Sequence, residues 1–394
     1  MFNDVVIVSA VRTAIGDFGG SLKDISPSEL GRLVIQEAVL RAGLLPADIH
    51  HVVMGQVIQS DPKDIFLARI AAVKAGIPTS APALTLNRLC GSGVQAIVSA
   101  AQMIRLGECQ AAVAGGAESM SRAPHIVPAM RWGKRMGDAP MLDAMLEALH
   151  DPFGHGHMGV TAENVAQRHA ISRRMQDEAA VESHRRAARA IAEGRFEEQI
   201  LPVEIRTRKG TSLFRTDEHV RGDTDLDRMS QLKPAFLKKN GTVTAGNASG
   251  LNDGAAALVL MSGQEAARKS AQPIARILGW GHAGVDPEVM GLGPVKAVPL
   301  ALKSAGLALS DIDVIESNEA FAAQACAVAS ELGLDPERTN PNGSGISLGH
   351  PVGATGAIIT VKAIYELKRI GGRYGLVTMC IGGGQGIAMV IERI

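Results

Sequence analysis

The chain has 394 residues, 46% hydrophobic and 20% charged, with 44 glycines. That composition excludes a disordered or low-complexity chain and supplies apolar material for two or three domain-sized units. Lys+Arg and Asp+Glu each number 40 and aromatic residues make up 3%, so there is no global pull towards nucleic acid or anionic membrane and no supply of stacking platforms for single strands.

The first strand-like run is Val5-Val6-Ile7-Val8, which follows Asp4 with no basic n-region and no long h-region. It does not read as a signal peptide. No stretch of roughly 18 apolar residues exists to span a membrane. Four cysteines, Cys90, Cys109, Cys326 and Cys380, do not make a disulfide scaffold, and no C-x-x-C pair offers a zinc or redox site. Free thiols, no metal and a cytoplasmic location are expected.

An internal repeat organises the chain. A-V-L-R-A-G-L-L-P-A-D-I from Ala38 and A-L-K-S-A-G-L-A-L-S-D-I from Ala301 align without a gap at an offset of 263 residues. Each reads as an amphipathic helix ended by glycine (Gly43, Gly306), then a turn, then a β-rich run. The same offset carries Gly93 onto Gly356 and Val113 onto Leu376. The expected fold is therefore α/β, built from duplicated βαβαβ halves. Residues 1–118 with 250–270 form the first half and 271–394 the second. Residues 119–249 fit neither and are expected to form a large inserted loop domain, with a long polar helix from about Ser172 to Ala192. The basic stretch Arg206-Thr207-Arg208-Lys209 reads as a solvated loop.

Ala83–Asn87 alternates like a strand, and Arg88-Leu89-Cys90-Gly91-Ser92-Gly93 leads into a helical pattern with Val94, Ile97, Val98, Ala101 and Ile104 on one face. Cys90 thus sits where a strand turns into a helix. Unpaired N–H groups and the helix dipole there favour thiolate, the nucleophilic form. Cys109 and Cys326 have no glycine turn and read as small buried hydrophobes.

Further on, Glu316-Ser317-Asn318-Glu319 reads as a helix start, with Ser or Asn capping and Glu in the first turn. Gly349-His350-Pro351 holds a histidine on a glycine-rich turn before a helix, where its ring can face a cleft. Leu376–Met379 reads as a buried strand ending in Cys380-Ile381-Gly382-Gly383-Gly384, whose glycines let backbone approach a ligand and offer N–H groups to an oxyanion. No G-K-[ST] follows and no G-x-G-x-x-G opens a first βα turn, so neither a P-loop nor an NAD site is supported.

Seven motifs in order carry a family resemblance: N-R-L-C-G-S-G-V-Q-A-I, G-G-A-E-S-M-S, H-M-G-V-T-A-E-N, T-A-G-N-A-S-G-L-N-D-G-A-A, N-E-A-F-A-A-Q, G-H-P-V-G-A-T-G-A and C-I-G-G-G-Q-G. With V-R-T-A-I-G-D-F-G-G near the N-terminus, they make the chain resemble the thiolases end to end, specifically the bacterial acetyl-CoA acetyltransferases or β-ketothiolases. The resemblance implies a layered α-β-α-β-α thiolase fold and reversible ping-pong condensation of acetyl-CoA with a short acyl-CoA. Cys90 matches the nucleophile that carries the acyl group as a thioester, and His350 the residue that takes up its proton. Cys380 matches the acid/base acting on the α-carbon. Asn318 matches the holder of a water that forms one oxyanion hole with His350, and the N–H groups of Cys90 and Gly382 match the other. His157, Met158, Arg221, Ser249 and Phe321 fall where the family lines its coenzyme A channel.

The resemblance further implies coenzyme A and acetyl-CoA as substrates with no permanently bound cofactor. It implies a homotetramer, with segments around Ser121 to Asp138 between dimers. It also implies a role in fatty-acid metabolism or polyhydroxyalkanoate biosynthesis. Short-chain biosynthetic members commonly read G-G-A-I-A where this chain has Gly343-Ser344-Gly345-Ile346-Ser347. That loop is expected to back the pocket and bear on acyl-chain range, so a degradative 3-ketoacyl-CoA thiolase of broader range is the alternative. Ketosynthases pair cysteine with two histidines, and Cys380 at the third position favours a thiolase. A non-catalytic acyl-CoA-binding relative should have lost a reactive group, and all are present.

Overall fold

The computed structural model describes residues 4–207 and 210–394. Residues 1–3 and, within the basic stretch, Arg208 and Lys209 lie outside the described residues. Arg206 pairs with Glu204 at 3.0 Å on an exposed strand.

Nine strands form the main path of one sheet: β1 (Val5–Thr13), β2 (His51–Gly55), β3 (Ala83–Leu86), β4 (Ala111–Ser119), β5 (Asn252–Ser262), β6 (Ala275–Gly284), β7 (Val314–Ser317), β8 (Tyr374–Ile381) and β9 (Gln385–Arg393). Their spatial order is β7-β8-β9-β6-β1-β5-β4-β2-β3. All of β1, β4 and β5 is buried. Helices covering both faces explain why these strands are runs of Val, Ile, Ala and Leu rather than polar–apolar alternations.

The duplication is visible in the register. His51 pairs with Ala112 in a parallel ladder, and 263 residues further along each strand Val314 pairs with Gly375, also in parallel. Each half then continues through two antiparallel partners, β4-β5-β1 in one and β8-β9-β6 in the other. The halves join edge to edge where Val6 and Ile7 of β1 pair with Arg276 and Ala275 of β6.

The copies differ at one place. Where β3 pairs with β2 over four residues, the equivalent chain in the second half makes only an isolated parallel bridge, Ile315 to Thr339, and a short helical turn, Gly345–Leu348, follows it.

Helix α1 (Pro27–Arg41) packs on the first half beside α2 (Leu67–Lys74), and α6 (Gly293–Ala305) packs on the second. Between the halves run α3 (Ser92–Arg105) and α8 (Val352–Ile370), which touch each other and strands of both halves. This is the five-layered α-β-α-β-α arrangement. The two central helices cross at equivalent glycines. A Cβ on Gly93 would lie 2.4 Å from the Ala357 nitrogen, and one on Gly356 2.4 Å from the Val94 nitrogen.

The intervening segment contributes α4 (Met158–Arg168) and α5 (Arg173–Ala192), the latter capped by Ser172 as the sequence suggests. A fully buried ion pair anchors this segment to β1: Arg12 Nη1 lies 2.7 Å from Asp217 Oδ1. Gln199 Oε1 accepts from Arg12 Nε at 2.8 Å, and Asp217 Oδ1 also accepts from the Ile15 N–H. The buried charges are therefore paired and hydrogen-bonded, the condition under which burial is tolerated.

One local expectation is corrected. Asn318 and Glu319 do not open a helix; α7 begins later (Ala322–Leu332) and Phe321, with no capping side chain, precedes it. Glu319 is instead buried, accepting from Ser183 Oγ at 2.6 Å and Asn340 Nδ2 at 3.1 Å. A buried carboxylate with side-chain donors satisfies the same polarity that suggested a cap. Among the described residues no helix is long and apolar enough to cross a membrane, and no His/Cys/Asp/Glu cluster is arranged to hold a metal ion.

Candidate active site

Cys90 lies in the five-residue connection between β3 and α3. The bend is set by Leu89, which adopts φ 46°, a left-handed conformation that costs a branched residue of order 1–2 kcal/mol. Local bonds over-determine it. Asn87 Oδ1 accepts the Leu89 N–H at 2.7 Å, while Ser92 Oγ accepts from the Arg88 N–H at 2.9 Å and donates to the Leu89 carbonyl at 2.7 Å. Gly91 has no room for a side chain, since a Cβ there would meet Ile381 Cδ1 at 2.5 Å.

His350 precedes α8 and is buried. Its backbone N–H donates to Asn252 Oδ1 at 2.8 Å, fastening the turn to the start of β5. The ring is oriented by Thr355, a residue that spacing did not single out. Thr355 Oγ1 donates to the Pro351 carbonyl at 2.9 Å, so at 2.7 Å from His350 Nδ1 it acts as acceptor. That network assigns the ring proton to Nδ1 and leaves Nε2 as the acceptor. Burial pushes the imidazole down to about 4, so the ring is neutral at pH 7. Asn318 Nδ2 lies 3.4 Å from Nε2, and among the described residues the buried Asn318 Oδ1 has no hydrogen-bond partner.

Cys380 is next to last in β8 and is buried. Burial first, then the neighbouring Cys90, push its thiol far up. Burial also raises Cys90, opposed by the backbone N–H groups of Gly382 and of Cys90 itself, which are directed at its sulfur. The free thiolate expected from the helix start alone is thus not the resting form. Both sulfurs are held as thiols, and an adjacent base has to release the first. Cys109 and Cys326 are raised to about 11 by burial, as expected of inert thiols.

One apolar cavity collects Cys90, His350, Cys380, Gly382, Met158, Ser249 and Phe321. Its other walls are Val57, Ile58, Leu89, Met120, Ala148, Leu149, Met290, Ala320 and Val352. These come from separate segments that meet only in the folded chain. Cys90 packs with Ile58, Met120, Met145 and Val352, whereas Cys380 packs with Met158, Met290 and Phe321. The nucleophile candidate and the acid/base candidate therefore face different hydrophobic walls.

His157 is not part of the lining. Its Nδ1 accepts the Gly159 N–H at 3.0 Å, capping α4, and its ring stacks on Phe236 with centroids 4.6 Å apart. Arg221 stands away from the cavity, exposed, with Nη2 3.0 Å from Asp17 Oδ2. The loop Ser344–Ser347 lies behind Asn318 rather than on the acyl wall. Ser347 Oγ is 2.8 Å from Ser183 Oγ, and a Cβ on Gly345 would stand 2.8 Å from Asn318 Oδ1.

Two thiols and a neutral histidine converging on an apolar, glycine-edged pocket, between the halves of a duplicated α/β core, define an acyl-transfer centre. Residues 5–264 match the model of the thiolase N-terminal domain and residues 271–393 that of the thiolase C-terminal domain. The chain belongs to the thiolase family and is an acyltransferase enzyme. It is 65% identical to beta-ketothiolase BktB of Cupriavidus necator, over all of both chains. The crystal structure of the Bacillus anthracis acetyl-CoA acetyltransferase superposes with a TM-score of 0.97 at 48% identity, covering 100% of this chain and 99% of that one. Human mitochondrial 3-ketoacyl-CoA thiolase in complex with CoA gives a TM-score of 0.96 at 43% identity, covering 100% and 98%.

Proposed function

We propose that the enzyme condenses acetyl-CoA with a short acyl-CoA, and thiolyses 3-ketoacyl-CoA in reverse, through an acyl group carried on Cys90. The observation that carries this reading is the convergence of Cys90, His350 and Cys380 on one cavity, with the Gly382 N–H directed at the Cys90 sulfur. His350 Nε2 takes the Cys90 proton as the thiolate attacks the thioester carbonyl. The departing coenzyme A sulfur takes a proton from Cys380, leaving a thiolate there. Because burial has raised that thiol, its conjugate base is strong enough to remove the weakly acidic α-proton of the second substrate. The enolate then attacks the acyl carbonyl on Cys90; the new carbon–carbon bond forms as the Cys90 C–S bond breaks, and the released Cys90 thiolate recovers its proton from His350.

Charge on oxygen is met at two places. The N–H groups of Cys90 and Gly382 face the acyl-Cys90 carbonyl, and Asn318 with the now protonated His350 faces the other thioester oxygen through a water. Met158, Ser249 and Phe321 flank the entering pantetheine, and His157 supports them by fixing Met158 and Phe236. Arg221, at the surface, would meet the nucleotide end after leaving Asp17. No permanently bound cofactor is required. The exposed Trp132, Met130, Met136 and Met141 suit an interface between copies in a homotetramer.

The test is mass spectrometry after incubation with acetyl-CoA. The wild type and Cys380→Ser should both gain an acetyl group on Cys90, and Cys90→Ser should not. Cys380→Ser should lose condensation while keeping a slower thioester exchange, because coenzyme A can leave as a thiolate and take its proton from solvent; complete failure to acylate in that variant would overturn the division of roles.

A further inference from the structure

Glu118, next to last in β4, has no exposed surface and is not part of the cavity lining, yet its carboxylate holds two pieces of the cavity wall together. Oε2 accepts the Val57 N–H and the Gly353 N–H, both at 2.9 Å, and Oε1 accepts the Ile58 N–H at 3.2 Å. Val57 and Ile58 line the cavity, as does Val352 beside Gly353. The space is cleared by glycines on three elements. A Cβ on Gly353 would lie 2.6 Å from Glu118 Oε2, and Cβ atoms on Gly116 and Gly55 would lie 2.2 and 2.9 Å from the Gly353 carbonyl oxygen. Gln56 extends the clamp, its Nε2 donating to the Ile58 carbonyl at 3.0 Å.

We propose that Glu118 is a positioning residue that sets the acyl-chain range of this thiolase, by clamping Val57–Ile58 to Val352–Gly353 around the acyl group on Cys90. The wall it holds is the one against which Cys90 packs, in common with Met120 and Met145. The opposite wall, of Met158, Met290 and Phe321, belongs to a separate hydrophobic cluster. Burial pushes the Glu118 carboxyl up to about 8 and the three N–H donors oppose it, so the clamp is complete when the group is ionised and both oxygens accept. A glutamine can serve Val57 and Gly353 with its one oxygen, but its NH2 then confronts the Ile58 N–H. Glu118→Gln therefore frees the Ile58 side of the wall while leaving the volume unchanged.

The proposal rests on Cys90 carrying the acyl group, and the experiment separates the two. Thiolysis of acetoacetyl-CoA and 3-ketohexanoyl-CoA is measured for the wild type, Glu118→Gln and Glu118→Asp, with acylation of Cys90 followed by mass spectrometry. The ratio of kcat/KM values should shift about 10-fold towards the longer substrate in Glu118→Gln, the scale of discrimination by fit in an apolar pocket. KM for coenzyme A should stay within about twofold. An equal loss on both substrates, or a KM for coenzyme A that moves with them, would make Glu118 merely structural. If Glu118→Gln does not fold, Glu118→Asp is read in the same way, and failure of both to fold overturns the proposal. Absence of the acyl adduct in the wild type would instead remove the Cys90 reading.

Discussion

Two regions that began as copies now hold the chemistry in different ways. Before Cys90 the chain is an edge strand, β3, half exposed to solvent and paired along β2. In the second half that pairing shrinks to the single bridge of Ile315 to Thr339, and a fully buried helical turn, Gly345–Leu348, follows before His350. The first arrangement delivers a sulfur at a strained bend, beside backbone N–H groups. The second delivers an imidazole into the interior, where burial keeps it neutral. Duplication placed two chain turns at the same end of the core, and divergence of those turns made one suited to a nucleophile and the other to a base.

The strongest way to break this comparison is to disable the base without touching the nucleophile. His350→Asn should lower kcat for condensation by about 10²–10⁴-fold, the usual range for a positioned acid/base. Thr355→Val should cost less, about 10-fold in kcat, because the ring remains but the proton is no longer confined to Nδ1. A pH–rate profile whose acid limb moves in Thr355→Val distinguishes loss of tautomer control from simple loosening, and unchanged kinetics would refute the role given to Thr355.

The symmetric crossing sharpens the comparison at the level of stability. Gly93→Ala and Gly356→Ala each force a Cβ to 2.4 Å from a backbone nitrogen of the facing helix. Overpacking of this kind costs about 1–3 kcal/mol, and the two variants should lower Tm by similar amounts; a clear inequality would show that one helix yields more readily.

The last test is of pH. His350 and His184 are both pushed down to about 4 by burial, while an unfolded histidine titrates near 6.5. Between those values the unfolded chain binds more protons, so stability rises with pH. The contribution is complete above about 6.5 and is lost as pH falls towards 4, at roughly 3 kcal/mol per group. Denaturant unfolding of the wild type and His184→Gln at pH 7 and pH 5 checks this, the variant showing the shallower decline.

Much of this was legible in residues that repeat or punctuate. The 263-residue offset foretold the shared register of β2–β4 and β7–β8, and glycines beside Cys90, His350 and Cys380 marked turns that the structure indeed bends there. The site's walls were not legible. Met120, Leu149 and Met290 are unremarkable in their own segments and meet only through tertiary packing. Asn318-Glu319 misled because polar residues before an apolar run resemble a cap, although buried Ser183 and Asn340 satisfy Glu319 instead. The Gly343–Ser347 loop is expected from the sequence to back the pocket, and Gly345 stands directly behind Asn318. In space it supports Asn318.

Two sulfurs in one pocket ordinarily invite oxidation, since peroxide and disulfide chemistry both begin with thiolate. The burial that raises Cys90 and Cys380 keeps nearly all of both protonated between turnovers. On the proposed mechanism the sulfur becomes reactive only when His350 draws its proton towards a bound thioester. The apolar pocket thus acts as chemical shelter, protecting the idle enzyme from oxidants by the same desolvation that makes Cys380 a strong base once it has lost its proton.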